Sequence, residues 1–212
     1  MKKILFVVSA LVITTAVCAQ SERYTKAMTA AVAQIDSAKT PDDMLNVSAT
    51  FERIGDAEKT QWLPYYYAAF TQTLYAFIKN DVANNDTYAD KAQKLIDKAD
   101  ALEKNNSEIS VIKSMIASLH MLVDPQSRFQ QYLPTVTGEI EKAKSQDPNN
   151  PRPYYLQGQN LRYTPEQFGG GCATAKPILE QAVKKFETFK PASTLHPDWG
   201  KNQASQLLDG CK

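Results

Sequence analysis

Asn149-Asn150-Pro151-Arg152-Pro153-Tyr154-Tyr155 carries two echoes of earlier sequence, and their spacing decides the fold. Pro153-Tyr154-Tyr155 repeats Pro64-Tyr65-Tyr66 after 89 positions, and each copy opens an apolar stretch of helical periodicity. Asn149-Asn150 repeats Asn105-Asn106 at an offset of 44, again just ahead of a helix-like stretch. Two steps of 44–45 residues therefore tile the chain. Self-similarity at such a period marks a helical repeat array, because one helical unit cannot bury its apolar face alone and stacks on its copies.

Outward from this stretch, helices come with start and stop signals. Tyr24 to Ala38 holds Met28, Ala31, Val32 and Ile35 on one stripe. Thr40-Pro41-Asp42-Asp43 reads as an N-cap, a first-turn proline and acids facing the helix dipole. The helix it opens carries Met44, Val47, Phe51 and Ile54, with Gly55 as its expected stop. The third stretch places Trp62, Tyr66, Phe70, Thr73 and Phe77 on one ridge, widened by Leu63, Leu74 and Ile78, until Asn84-Asn85-Asp86 breaks it. Thr87 and Asp90 read as a capping box for a helix burying Ala92, Leu95, Ile96, Ala99 and Leu102. Ser107 is expected to cap a helix with Ile109, Ile112, Ile116, Leu119 and Val123 inward. Asp124-Pro125 starts the next, with Phe129, Leu133, Val136, Ile140 and Ala143 inward and Pro134 as a kink or early break. The seventh helix holds Tyr154, Tyr155, Leu156, Leu161 and Tyr163, and Thr164 to Phe168 forms a single turn ended by Gly169-Gly170-Gly171. Helices from about Ala173 to Phe189, with Ile178, Leu179, Ala182, Val183 and Phe186 inward, and from Asp198 to Leu208 complete the chain. No segment alternates with period two, and no Gly/Ser-rich linker intervenes. The expectation is an all-α, antiparallel helix-hairpin array of about nine helices, with residues 20–212 forming one domain.

Residues 1–19 read as a signal peptide: Lys2-Lys3, an apolar run from Ile4 to Val17, and a small-residue cleavage site at Val17-Cys18-Ala19. A lipidated Cys18 is the rival reading, which Val17 fits poorly. Removing residues 1–19 of the 212 leaves 193, and without Lys2 and Lys3 the 24 basic residues become 22 against 23 acidic. That balance makes no electrostatic case for nucleic acid or an anionic membrane surface. No span of the mature chain is expected in a membrane. In an oxidising compartment, Cys172 and Cys211 are expected to pair as a C-terminal disulfide.

The helix openings resemble the tetratricopeptide family, in which an A helix beginning Trp-x-x-Leu-Gly-x-x-Tyr pairs with a B helix rich in small residues. Trp62 sits at the first aromatic position, Tyr65 and Tyr66 at the Leu-Gly pair, and Ala69 at the Tyr; Tyr154, Tyr155 and Gly158 fall on comparable positions. Ala92 and Ala99 match B-helix small residues, and Asp147-Pro148-Asn149-Asn150-Pro151 matches the inter-repeat turn. The period is nearer 44 than the family's, and no unit carries the full pattern. The resemblance implies a TPR-like α-solenoid whose A helices line a concave groove for a protein or peptide partner. The groove-facing positions it implies are Tyr67, Thr71 and Gln72 in one unit, and Arg152, Gln159 and Asn160 in another.

Catalytic constellations are sparse. His120 lies on an apolar helix and His196 in a loop before Pro197, far from the ligand set that zinc requires. Cys172, at a helix start, is the one plausible nucleophile, and its pairing with Cys211 opposes that role. Gly169-Gly170-Gly171 with Lys176 lacks both the phosphate-loop spacing and a preceding strand. The expectation is a non-catalytic exported scaffold, periplasmic or extracellular, that binds a protein or peptide of the cell envelope without cofactor or metal. A thiol-dependent enzyme or redox protein using Cys172 and a purely structural envelope component are the alternatives.

Overall fold

A computed structural model describes residues 22–211. Residues 1–19, the expected signal peptide, and with them Cys18, lie outside the described residues. Among the described residues nine α-helices follow one another: α1 (22–37), α2 (Pro41–Glu58), α3 (Trp62–Lys79), α4 (Asn85–Leu102), α5 (Ser107–Leu122), α6 (Pro125–Gln146), α7 (Arg152–Tyr163), α8 (Cys172–Thr188) and α9 (Lys201–Asp209). Short 3₁₀ turns at Val82–Asn84 and Glu166–Phe168 join them, and there is no strand among the described residues. Helices α3, α5 and α7 begin at 62, 107 and 152, an even step of 45 residues.

Local chemistry sets the openings. Thr40 caps α2 by accepting from the Asp43 amide, while the Asp43 carboxylate accepts from the Thr40 amide, so two otherwise unpaired donors are satisfied reciprocally. The asparagine echo is a pair of like turns, in which each side chain accepts from the amide two residues on: Asn106, the α5 N-cap, from Glu108 at 2.9 Å, and Asn150, one residue before the Pro151 N-cap of α7, from Arg152 at 3.0 Å. The tyrosine echo is equally literal. Lys98 of α4 lies over the Tyr65 ring at 4.9 Å, and Lys185 of α8 over the Tyr154 ring at 4.6 Å.

Consecutive helices from α2 to α6 pack antiparallel, as paired contacts along each of their interfaces demonstrate. Between α2 and α3, Ser48 bonds Ala68 and Asp56 bonds Tyr65. Tyr65 meets Lys98 while Tyr75 meets Tyr88 across α3 and α4. Lys113 pairs with Asp100, and His120 with Asp86, across α4 and α5. Ser107 donates to Ala143 and Ser114 to Val136 across α5 and α6, where small side chains let the helices approach. Glycine serves the same purpose between α7 and α8, since a Cβ at Gly158 would sit 2.5 Å from Leu179. One apolar core runs from Met28 of α1 to Ala204 of α9. Because alternate helices of an antiparallel succession run the same way, α3 and α5 share one direction.

Several boundaries differ from the sequence expectation. Gly55 does not stop α2, which continues to Glu58 and turns at Lys59 in the left-handed region. Gly55 instead admits Tyr65, whose ring would lie 2.7 Å from a Cβ there. α3 ends at left-handed Asn80, short of Asn84. The 3₁₀ turn carries the chain straight into α4 at Asn85, which leaves Thr87 and Asp90 inside the helix with no cap to form. The α5 cap is Asn106, one residue before Ser107, because Ser107 directs its hydroxyl across to α6. α6 passes through Pro134 as one helix. α9 starts at Lys201, after Gly200.

Candidate functional site

The A-helix face expected to be an open groove is filled along its first half by the chain itself. Residues 189–200, between α8 and α9, cross the N-terminal halves of α3 and α7. Tyr67 donates to the Leu195 carbonyl at 3.0 Å, and Arg152 Nη2 to the Pro197 carbonyl at 2.6 Å. The Trp199 indole donates to the Tyr66 hydroxyl at 2.8 Å. Its ring stacks on Phe70 at 4.6 Å and meets Tyr155 edge-on at 6.4 Å, so both echoed tyrosines, Tyr66 and Tyr155, touch one tryptophan. Trp62 packs edge-on against His196, whose burial lowers its basicity.

Beneath this strap lies a charged knot. Arg152 is fully buried and pairs with Glu108 at 2.8 Å, while Asn150 donates to the same carboxylate at 2.9 Å. Burial pushes the Glu108 carboxyl up from its ordinary value, against the opposing pull of Arg152 and of hydrogen bonds from Tyr66 and Asn150. The Arg152 guanidinium also lies over Phe189 at 5.0 Å and Trp199 at 5.2 Å. An ion pair so enclosed, with Arg152 Nη2 also bonded to the strap, fastens α5, α7 and the C-terminal segment together.

The expected contact residues therefore separate. Tyr67, Thr71, Gln72 and Arg152 are buried and do not face an open groove, a correction that follows from the strap and from the burial of most of α3. Thr71 turns its hydroxyl onto the Tyr67 carbonyl of its own helix. Gln159 and Asn160, on the second half of α7, are partly exposed. Cys172 and Cys211 are joined, with their Cα atoms 5.2 Å apart, so α9 is tied back to the start of α8.

Beyond the strap, the array presents an apolar end. Among the described residues, eight large apolar side chains are exposed: Phe77, Ile78, Val82, Leu102, Leu122, Phe129, Tyr163 and Phe168. All but Leu102 sit where α3, α5 and α7 end or where their partners α4, α6 and α8 are entered, which is one end of the molecule. The periodicity that assigned Phe77 and Leu102 to the core carries on past the point where a neighbouring helix remains to cover them. Exposed large apolar side chains gathered at one end of a molecule make that end a candidate interaction site. A polar cluster stands within it: Asp86 accepts from Arg128 at 2.7 Å and contacts His120 Nδ1 at 2.7 Å, and the His120 ring stacks on Tyr132 at 5.2 Å. Arg128 first, and then His120, hold the Asp86 carboxyl below its usual range.

At the opposite end, a cleft of about 700 Å³ is lined by Asn149, Gln181, Lys184, Lys185, Thr188 and Lys190, among others. Its lysines surround the C-terminus of α8, where cations offset the helix dipole, and Lys185 donates to the Pro148 carbonyl at 2.7 Å. No group of three or more His, Cys, Asp or Glu residues is arranged to hold a metal ion among the described residues. No described helix is long and apolar enough to cross a membrane.

No protein-family model matches the chain, and no curated protein does. Among solved structures, it is similar to the HusA haemophore from Porphyromonas gingivalis, with a TM-score of 0.81 and 36% sequence identity. The match covers 89% of this chain and 92% of that one.

Proposed function

The chain belongs to the HusA haemophore family, and from that premise we propose that it is an exported carrier that binds haem at the apolar end of its helix array. The observation that carries this reading is the 36% identity to a haemophore over nearly the whole length of both chains. The surface chemistry supports it. Haem is a wide, flat, mostly apolar ring with two carboxylates, and the exposed Phe77, Ile78, Leu122, Phe129, Tyr163 and Phe168 offer apolar contact at one end. Binding by such a surface needs no bond chemistry, and with Cys172 bonded to Cys211 no thiol is left at the α8 N-terminus for a nucleophile.

Export rests on the leader-like residues 1–19 and suits a carrier that collects cargo outside the cell. The 45-residue step of α3, α5 and α7 supports a TPR-like array, with its groove half-filled by the strap. Gln159 and Asn160 are the expected contact residues that remain available to a ligand or to a partner protein. Titrating residues 20–212 into haem and following the porphyrin absorbance tests the reading. A saturable band shift is expected, and a spectrum identical to haem in buffer would refute it.

A further inference from the structure

We propose that Tyr163 and Phe168 form a preformed aromatic clip that takes the flat face of the porphyrin, an inference that rests on the haem-binding reading above. These two are the most exposed large apolar residues described, at 69% and 70%. They are not on a slack loop. Thr164 bonds back to the Asn160 carbonyl through both its amide at 3.0 Å and its hydroxyl at 2.8 Å. The Phe168 amide donates to Pro165 and the Gly169 amide to Glu166, each at 2.9 Å. The Gly170 amide reaches the Pro165 carbonyl at 3.2 Å, and the Gly171 amide spans to Leu161 at 2.9 Å.

The glycines make this closure feasible. Gly169 and Gly171 have φ of +82° and +87°, and a Cβ at Gly170 would sit only 2.0 Å from the Thr164 carbonyl oxygen. Cys172, the next residue, is fixed by its disulfide. A segment braced at every step, yet holding both its aromatic rings in water, spends its order on presentation rather than on its own packing.

Flat π systems are the preferred neighbours of such rings, in offset-stacked or edge-to-face geometry. Because the backbone is already ordered, a ligand meets them without paying to organise the loop. The clip also stands at the same end as Phe77, Leu122 and Phe129.

The test compares haem titrations of the wild-type chain with those of Tyr163→Ala, Phe168→Ala, the double variant and Tyr163→Phe. Each alanine is expected to weaken binding about tenfold, while Tyr163→Phe keeps the ring and binds as wild type. Thermal melting of all four should match the wild type, since neither ring is part of the core. Wild-type haem affinity in the double variant would overturn the clip and leave haem binding standing. A wild-type chain that fails to bind haem would overturn both. If light scattering shows a wild-type dimer that dissociates in the double variant while haem affinity is unchanged, the face belongs to self-association and the clip is again overturned.

Discussion

Arg152 shows how far a residue's role depends on what folds over it. Its position two residues after a capping asparagine marks a helix opening, and a basic residue there would ordinarily face water. The strap encloses it instead and turns it into a buried ion pair. Removing one partner of such a pair leaves the other charged and unpaired, so Arg152→Met is expected to cost about 3–5 kcal/mol in chemical denaturation. Arg152→Met combined with Glu108→Gln should lose less than Arg152→Met alone, because no orphaned charge remains. The Asp86 and Glu108 carboxyls respond to pH in opposite senses. Asp86 has a lowered value in the folded state, so its contribution is complete above the ordinary 3.8 and is lost as pH falls through its folded value. The melting-temperature gap between wild type and Asp86→Asn should therefore be present near neutral pH and should vanish well below 3.8. Glu108 has a raised value, so its ionisation destabilises the native state as pH rises from 4.5 through the folded value.

At the scale of elements, α8, the strap and α9 form a loop closed by the Cys172–Cys211 bond, whose ends are 39 positions apart. On the loop-entropy account such a cross-link stabilises by about 4 kcal/mol. Reduction should lower the denaturation midpoint accordingly and make 189–200 the first segment cut by a protease. A wild-type cleavage pattern after full reduction would contradict that role. The Thr40 cap should be worth about 1 kcal/mol, read as the loss on Thr40→Ala. These elements also show what local sequence can reveal. Thr40-Pro41-Asp42-Asp43, the paired asparagines and the Pro-Tyr-Tyr echo act within a turn or two of themselves, and they located helix starts and the repeat. The strap lies over Tyr66 and Tyr67 from more than 120 positions away, and no local pattern announces it. For that reason Tyr67, Thr71 and Arg152 were legible as A-helix residues but not as covered ones. Gly55 misled for a related reason, since a glycine spared for a distant tyrosine reads the same as a glycine that ends a helix.

Across the whole molecule, the two ends differ. The N-terminal halves of α3, α5 and α7 are sealed by the strap and a charged knot, while their C-terminal ends carry an uncovered apolar rim. Sequence periodicity placed Phe77, Ile78 and Phe129 on core-facing stripes, because the 3.6-residue repeat does not record where the neighbouring helix stops. The similarity to the HusA haemophore supplies a ligand for which such a rim is suited. Mapping amide resonances of the chain with and without haem tests this most directly. The account predicts that the largest shifts fall on residues 77–82, 118–129 and 159–171, with the strap at 195–199 undisturbed. Shifts concentrated on the strap, on Tyr66 and on Arg152, with the rim silent, would contradict it.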